Sequence, residues 1–245
     1  MEQIYTIPVN EAFDTALERP ECGCPVCMLY RKLEENELDI ILGASMMEPD
    51  IRIKTNEEGF CLGHFKKMHG RRRMLGLGLI LESHLEEVEK LLDGPTFLGN
   101  KRAAAVSALG ELESTCYVCG RINKNLSMMI ATIVYLWESN LDFRRKLGKI
   151  DRFCLPHYRA ILEYASKKMP KRVYAEFYDA IYAVEKRYIT SLRSDVSWFC
   201  KKFDYRYDEE PWYNSKDSVK RAIAFLGTEP EEDIKDTRRN GGTAE

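Results

Sequence analysis

One pattern of cysteine and histidine occurs twice in this chain and limits its fold more than any other feature. A Cys-x-x-Cys motif is followed 34 residues later by a Cys-x-x-His motif, and the same order returns with a separation of 35 residues. The eight residues are Cys24, Cys27, Cys61, His64, Cys116, Cys119, Cys154 and His157. The regular spacing predicts an internal repeat that arose by duplication of one helical hairpin.

The two motifs have the residue types and the spacing of a structural zinc site. Zinc prefers four ligands at the corners of a tetrahedron, with sulfur at ~2.3 Å and nitrogen at ~2.0 Å. Two side chains three residues apart share one side of a helical turn, so each motif can present two ligands to one point. A pair of motifs therefore completes a set of three cysteines and one histidine. The eight residues predict two structural zinc sites.

The sequence leaves two points about these sites open. One pairing joins each Cys-x-x-Cys motif to the Cys-x-x-His motif that follows it, and the other pairing exchanges the halves. The first pairing gives the sets Cys24, Cys27, Cys61, His64 and Cys116, Cys119, Cys154, His157. In addition, Cys22 is a third thiol beside Cys24 and Cys27, and it can replace either of them as a ligand.

The same residues also suit other chemistry. Three cysteines and one histidine can hold an iron–sulfur cluster. Thiols this close together can act as a redox sensor, and Cys22 would make the first site sensitive to oxidation. Without a metal they would be buried or redox-active thiols. Cys200, on the apolar period of a helix beside Phe199, is expected to be a buried and inert thiol.

Composition points to the cytoplasm. The N-terminus has no basic stretch followed by an apolar one, so we expect no signal peptide. No apolar run approaches the ~20 residues of a membrane helix. In a reducing compartment, eight cysteines favour metal binding over disulfides. A net charge of −2 gives no general attraction to nucleic acid or anionic membranes, and the basic segment 65–73 is interpreted as a solvated helix face.

Apolar residues recur at helical spacing along most of the chain, and no segment alternates as a strand would. We predict helices at about 9–20, 25–47, 61–92 with a bend near Gly70, 116–147, 155–168, 171–203 and 215–227. Segment 48–59 is predicted to be a polar loop. The predicted fold is all-α: two helical hairpins, each pinned by a metal site, with C-terminal helices packed across them.

We expect one helical domain over residues 1–226. It would consist of two repeats, 21–94 and 113–170, and of C-terminal helices over 171–226. Residues 227–245 are polar and poor in apolar side chains, which predicts a disordered tail.

Longer stretches of the sequence resemble an uncharacterised family of prokaryotic proteins, known only as a domain of unknown function. They include CPVCMLYRKL, GFCLGHF, CYVCGRI, YLWESNLDFRRKL, FCLPHY and WFCKKFDYRYDEEPWYN. The resemblance extends to about Leu226 and implies the paired motifs but no established activity. Some members carry the label of a transporter substrate-binding protein. That label fits this sequence badly, because an exported binding protein needs a leader or a lipid-anchor cysteine.

Nothing in the sequence argues for catalysis. It contains no nucleophile elbow, phosphate loop or zinc-protease motif. His69 and His84 are interpreted as surface or partly buried helical residues. We therefore expect a cytoplasmic zinc protein that acts as a binding module or scaffold for a protein partner or a small ligand. We expect neither nucleic acid nor a membrane as its partner.

Overall fold

Over the residues that it describes, the structure contains eleven α-helices and no strand. It is a computed structural model, and it describes residues 3–43, 47–94 and 101–227. The all-α prediction is confirmed. No helix in these ranges is long and apolar enough to cross a membrane. Residues 228–245, nearly all of the predicted disordered tail, lie outside the described ranges.

The helices follow one another with short connections. They are α1 (Thr6–Glu18), α2 (Pro25–Ile41), α3 (Pro49–Glu58), α4 (Leu62–Gly70), α5 (Met74–Asp93), α6 (Lys101–Ser114), α7 (Tyr117–Ser139), α8 (Leu141–Lys149), α9 (Leu155–Lys168), α10 (Lys171–Lys201) and α11 (Ser218–Leu226). Proline occupies the first position of α2 and the second of α9, where its missing N–H would have no helical partner. The predictions for 155–168 and 171–203 agree closely with α9 and α10.

Two predicted long helices are each divided in the structure. The predicted helix 116–147 is interrupted at Asn140, whose side-chain oxygen accepts hydrogen bonds from the N–H groups of Asp142 (2.9 Å) and Phe143 (3.0 Å). That cap starts α8 as a separate helix. The predicted helix 61–92 is α4 and α5, because the chain turns between them at Arg72, whose φ is 58°. The bend predicted near Gly70 lies close to this turn. At Asn140, apolar residues continue on both sides, so periodicity gave no sign of that break.

The prediction of a polar loop over 48–59 is wrong, since α3 fills most of it. Thr55 is the one buried residue of this helix, and a helix that buries so little leaves almost no apolar period in the sequence. The residues at the two ends of α3 are the ones in the sequence that indicate a helix here. Pro49 is its first residue, and Gly59 follows its last with φ 58°, a conformation that favours glycine.

The chain divides into two compact units. The terminal unit comprises residues 1–27 and 130–245, and the central unit comprises residues 28–129. Neither coincides with one of the predicted repeats. The repeat organisation and the single domain stay predictions.

Aromatic side chains pack the terminal unit. Phe13 of α1 contacts Phe143 of α8 and Phe153, with ring centroids 4.7 Å and 6.1 Å away. The long helix α10 buries one face, formed by Phe177, Ile181, Val184, Glu185, Tyr188 and Leu192. The C-terminal helix α11 joins this face through Phe225, whose ring lies 5.5 Å from that of Tyr188.

The central unit has its own apolar core. Its buried members come from α2, α4, α5, α7 and the turns beside them: Leu38, Ile41, Leu42, Phe60, Met68, Leu77, Ile80, Cys116, Tyr117, Val118 and Ile122. Phe60 precedes Cys61, and Tyr117 and Val118 follow Cys116. The core therefore fixes the backbone on which two of the cysteines stand.

Replacing Asn140 with alanine should lower the free energy of unfolding by about 1 kcal/mol, because two N–H groups of α8 lose their acceptor. Urea denaturation followed by circular dichroism measures this change. Asn140→Asp keeps an acceptor at the same position and is the control. The interpretation fails if the aspartate and alanine variants are equally destabilised.

Candidate metal centres

All four cysteine-containing motifs stand at the beginning of a helix. Cys24 lies directly before α2 and Cys27 in its first turn, and Cys154 and His157 take the same positions on α9. Before Cys24 the chain turns at Gly23, whose φ of 80° favours glycine. The N-terminus of a helix carries a partial positive charge, which favours the thiolate form that binds metals.

The other two motifs are placed in the same way and are tied together by their loops. Cys61 and Cys116 lie directly before α4 and α7, and His64 and Cys119 lie in the first turns. Between the two loops, the N–H of Tyr117 donates to the carbonyl of Gly59 (3.0 Å). The hydroxyl of Thr115 donates to the carbonyl of Glu58 (2.7 Å).

The motifs meet in the exchanged pairing. The terminal cluster consists of Cys24, Cys27, Cys154 and His157, and the central cluster consists of Cys61, His64, Cys116 and Cys119. In each cluster the four ligand atoms lie within 4.8 Å of one another. Each cluster also lies within a single compact unit. The pairing of motifs nearest in sequence does not occur.

Two cysteines belong to neither cluster. Cys22, the alternative ligand beside the first motif, is half-buried and is not part of the terminal cluster. Cys200 is exposed, so the prediction that it is buried is wrong. It lies beyond Leu192, the last buried residue of α10, in a stretch where Val196 and Phe199 are only partly buried.

The terminal cluster has the dimensions of a tetrahedral metal site. The Nδ1 atom of His157 lies 3.7 Å from the sulfur of Cys24, 3.4 Å from that of Cys27 and 3.1 Å from that of Cys154. The sulfurs of Cys27 and Cys154 are 3.5 Å apart. Around a tetrahedral zinc ion, two sulfurs would be ~3.8 Å apart and sulfur and nitrogen ~3.5 Å apart. All four residues are buried.

The central cluster has nearly the same dimensions but different exposure. The Nδ1 atom of His64 lies 3.2 Å from the sulfur of Cys61, 3.3 Å from that of Cys116 and 3.5 Å from that of Cys119. The sulfurs of Cys61 and Cys119 are 3.9 Å apart. Cys116 and His64 are buried, whereas Cys119 is half-buried and Cys61 is exposed.

A carboxylate orients the histidine of the central cluster. The Nε2 atom of His64 lies 3.1 Å from Oε1 of Glu34, whose two oxygens also accept hydrogen bonds of 2.6 Å from Lys67. Burial alone would raise the pKa of Glu34, but these two partners lower it to about 2. A carboxylate that accepts from one ring nitrogen fixes the tautomer that leaves the other nitrogen free to bind a metal.

Glu34 and Lys67 were not predicted from the sequence as part of a site. A signal for Glu34 was present, because it lies four and seven residues before Leu38 and Ile41, on their side of α2. Both of those residues are buried in the core of the central unit. A charged residue on the apolar face of a helix indicates a buried partner.

Protonation in the central cluster reflects repulsion between thiolates. Burial opposes the thiolate of Cys116, but the hydrogen bonds with His64 and with the backbone of Cys119 and Cys61, together with the charge of His64, outweigh burial and lower the pKa of Cys116 to about 6. Burial and the charge of Cys116 raise the pKa of Cys119 to about 12. The charge of one thiolate therefore opposes ionisation of the neighbouring thiol. A divalent cation between the sulfurs removes that repulsion and favours all three thiolates.

In the terminal cluster, too, the pKa values of neighbouring thiols are shifted in opposite directions. Hydrogen bonds from Cys154 and Cys24 lower the pKa of Cys27 well below its usual range. Burial and the neighbouring Cys154 and Cys27 raise the pKa of Cys24 well above it. Three buried sulfurs within such a short distance thus also fit a cation.

Glu185 of α10 holds the backbone in front of the terminal cluster. Its Oε1 accepts a 2.8 Å hydrogen bond from the N–H of Phe153, the residue before Cys154. Burial raises the pKa of Glu185 to about 7, although the Phe153 N–H and the charge of Arg152 oppose the increase. Glu185 was not identified from the sequence either, and it too lies on the apolar face of its helix.

His69 and His84 take no part in either cluster. His69 is exposed on α4. His84 is buried on α5, and its Nδ1 atom has no hydrogen-bond partner within the described part of the chain.

Replacing Glu185 with glutamine should change how stability depends on pH. The pKa of Glu185 rises on folding from about 4.5 to about 7, so the folded chain binds this proton more tightly than the unfolded chain. The resulting stability is present below pH ~4.5 and lost as the pH rises to about 7, a difference of at most ~3 kcal/mol. Relative to Glu185→Gln, the original chain should therefore lose free energy of unfolding across that interval.

Chemical denaturation at a series of pH values measures this difference. Asp179→Asn, an exposed change of the same kind on α10, is the control and should give a curve parallel to that of the original chain. A parallel curve for Glu185→Gln would contradict the assignment.

The comparison with protein families covers almost the whole chain. The model of a family described as a family of unknown function, DUF6062, matches residues 1–233. No curated protein and no solved structure has a significant match to the chain. The family match agrees with the resemblance of the motif-bearing stretches to an uncharacterised family. The chain belongs to the DUF6062 family of unknown function.

Proposed function

We propose that this protein binds two structural zinc ions, one in each cluster, and acts in the cytoplasm as a binding module or scaffold. The supporting observation is that two separate sets of three sulfurs and one imidazole nitrogen each converge within 4.8 Å. Such a set satisfies the full coordination of zinc. Each ion would join two helix N-termini that are far apart in the chain.

The distances favour a single ion over an iron–sulfur cluster. In a cluster of two or four irons, sulfide ions stand between the metals and move the cysteine ligands apart. Here the sulfurs of Cys27 and Cys154 are 3.5 Å apart and those of Cys61 and Cys119 are 3.9 Å apart, close to the edge of a tetrahedron around one ion. Iron bound to the same ligands is the alternative, and it would give a coloured protein.

A structural role follows from the number of ligands. Catalytic zinc sites keep one position for water or substrate, whereas four protein ligands fill a tetrahedral site. We therefore assign the ions a contribution to folding. The binding or scaffold role, for a protein partner or a small ligand, is the function that such a metal-stabilised helical framework can serve.

Protein purified without added metal should contain two zinc ions per chain by elemental analysis, as two four-residue sets require. Cys61→Ser and Cys154→Ser should each lower the content to one ion, because each removes a ligand from a different cluster. Cys22→Ser, a change of the same kind beside the terminal cluster, should leave two ions and is the matched control.

Different results would point to other chemistry. A brown protein with iron in place of zinc would support the redox alternative. Chains without metal and with disulfides between these cysteines would refute the proposal.

Replacing Glu34 with glutamine should weaken metal binding at the central cluster by about 10–100-fold, because His64 loses its charged acceptor. Competition with a chromogenic chelator, titrated against the zinc-loaded chain, measures the affinity of each site. The terminal cluster should keep its affinity.

Glu35→Gln is the control for this experiment. It removes the same charge from the next residue of α2, which is exposed. If Glu34→Gln and Glu35→Gln weaken binding equally, the effect is one of general charge and Glu34 has no specific role.

A further inference from the structure

The two clusters differ in how far solvent reaches them. All four residues of the terminal cluster are buried, with Cys24 0% and Cys154 1% exposed. In the central cluster, Cys61 is exposed and Cys119 is half-buried. The ligand sets are chemically alike, so the difference in access decides which sulfur a reagent in solution meets first.

Cys61 stands in an exposed turn, because residues 61–63 are all exposed. The side chain of Leu62 next to it is 68% exposed. Setting aside Leu62, His64 and the backbone of α4, a methyl group placed at Gly63 would meet one heavy atom of the described residues within 4 Å, the sulfur of Cys61 at 3.8 Å. More distant parts of the described chain therefore leave the side of Cys61 that faces Gly63 uncovered.

We propose that the central cluster is a site of thiol oxidation, at which a hydroperoxide reacts with Cys61 and the product closes a disulfide with Cys119. This proposal rests on the proposed function, because the reactive thiolate is a ligand of the bound ion. It assigns the two clusters different roles. The terminal ion is a permanent structural element, and the central ion is released by oxidants.

The reaction has two steps. The thiolate sulfur of Cys61 attacks one oxygen of the peroxide, so an S–O bond forms, the O–O bond breaks, and the other oxygen leaves as water or an alcohol after taking a proton. The sulfur of Cys119 then attacks the sulfenic acid, forming the S–S bond and releasing water. The two thiols lose two electrons, and the peroxide accepts them. Because Cys61 and Cys119 would then no longer be ligands, an ion held by the central cluster would keep only His64 and Cys116 and would be released.

Exposure favours Cys119 over Cys116 as the second thiol. Its sulfur lies 3.9 Å from that of Cys61, and it is half-buried. Cys116 is buried, and its sulfur lies 3.3 Å from the imidazole of His64. The sulfurs of Cys61 and Cys119 must approach to ~2.05 Å, a movement that the exposed loop at Cys61 can make.

This assignment reverses the expectation from the sequence. Three adjacent thiols at Cys22, Cys24 and Cys27 pointed to the first motif as the oxidation-sensitive one. The structure buries Cys24 and Cys27 and leaves Cys22 outside the cluster. Burial keeps aqueous peroxide from the sulfurs, whatever the number of thiols nearby.

The test uses the full-length zinc-loaded protein carrying Cys22→Ser and Cys200→Ser, which removes the two thiols outside the clusters. Its zinc content is measured first. Hydrogen peroxide is then added with a chromogenic zinc chelator, and peptide mass mapping locates the disulfide. We expect loss of one of the two ions, a Cys61–Cys119 disulfide, and recovery of two ions after reduction with dithiothreitol and addition of zinc.

Two single-site variants provide the matched comparison. Cys154→Ser, with only the central ion, should lose its zinc to peroxide. Cys61→Ser, with only the terminal ion, should keep it. If either variant does not fold, the disulfide map of the protein with all eight ligands decides.

Simultaneous release of both ions, earlier release of the terminal ion, or a disulfide within Cys24, Cys27 and Cys154 would overturn this proposal and leave the zinc proposal intact. Retention of both ions in peroxide would also overturn the oxidation proposal and leave the zinc proposal intact. A protein that contains no zinc before peroxide is added would overturn both.

Discussion

The structure depends on bringing three sulfurs and one imidazole nitrogen together at the N-termini of two helices. Within the central cluster the charge of one thiolate opposes ionisation of the next, as the lowered pKa of Cys116 and the raised pKa of Cys119 indicate. A divalent cation converts this repulsion into attraction. The repulsion between thiolates in each cluster therefore favours metal binding. A bound metal would in turn hold the helix N-termini together.

In the exchanged pairing, both motifs of the central cluster lie between the two motifs of the terminal cluster along the chain. The terminal cluster joins Cys27 to His157 across 130 residues, and the central cluster joins His64 to Cys116 across 52. Closing the longer loop costs about 1 kcal/mol more chain entropy. A metal that pins the longer loop therefore removes more freedom from the unfolded chain. Burial of the whole terminal cluster is consistent with a permanent ion there, and the exposed Cys61 with an ion that can be exchanged.

The sequence was sufficient for the fold class and for the four motifs whose side chains cluster, because both depend on short stretches of the chain. A metal motif needs only four consecutive residues, and helical periodicity only a turn or two. The sequence could not decide which Cys-x-x-Cys motif pairs with which Cys-x-x-His motif, since the separations of 34 and 35 residues make the two arrangements chemically equivalent. Packing decides between them: Met68 beyond His64 and Val118 beyond Cys116 share one apolar core, which brings their motifs together. Similarly, the position of Glu34 on the apolar face of α2 indicated a buried partner, but only the structure identifies that partner as His64.

The most direct test of the account is anomalous diffraction at the zinc absorption edge from crystals of the purified protein. The account predicts two peaks per chain, one among the side chains of Cys24, Cys27, Cys154 and His157 and one among those of Cys61, His64, Cys116 and Cys119. Peaks that join motifs nearest in sequence, or density at these cysteines without any zinc signal, would contradict it.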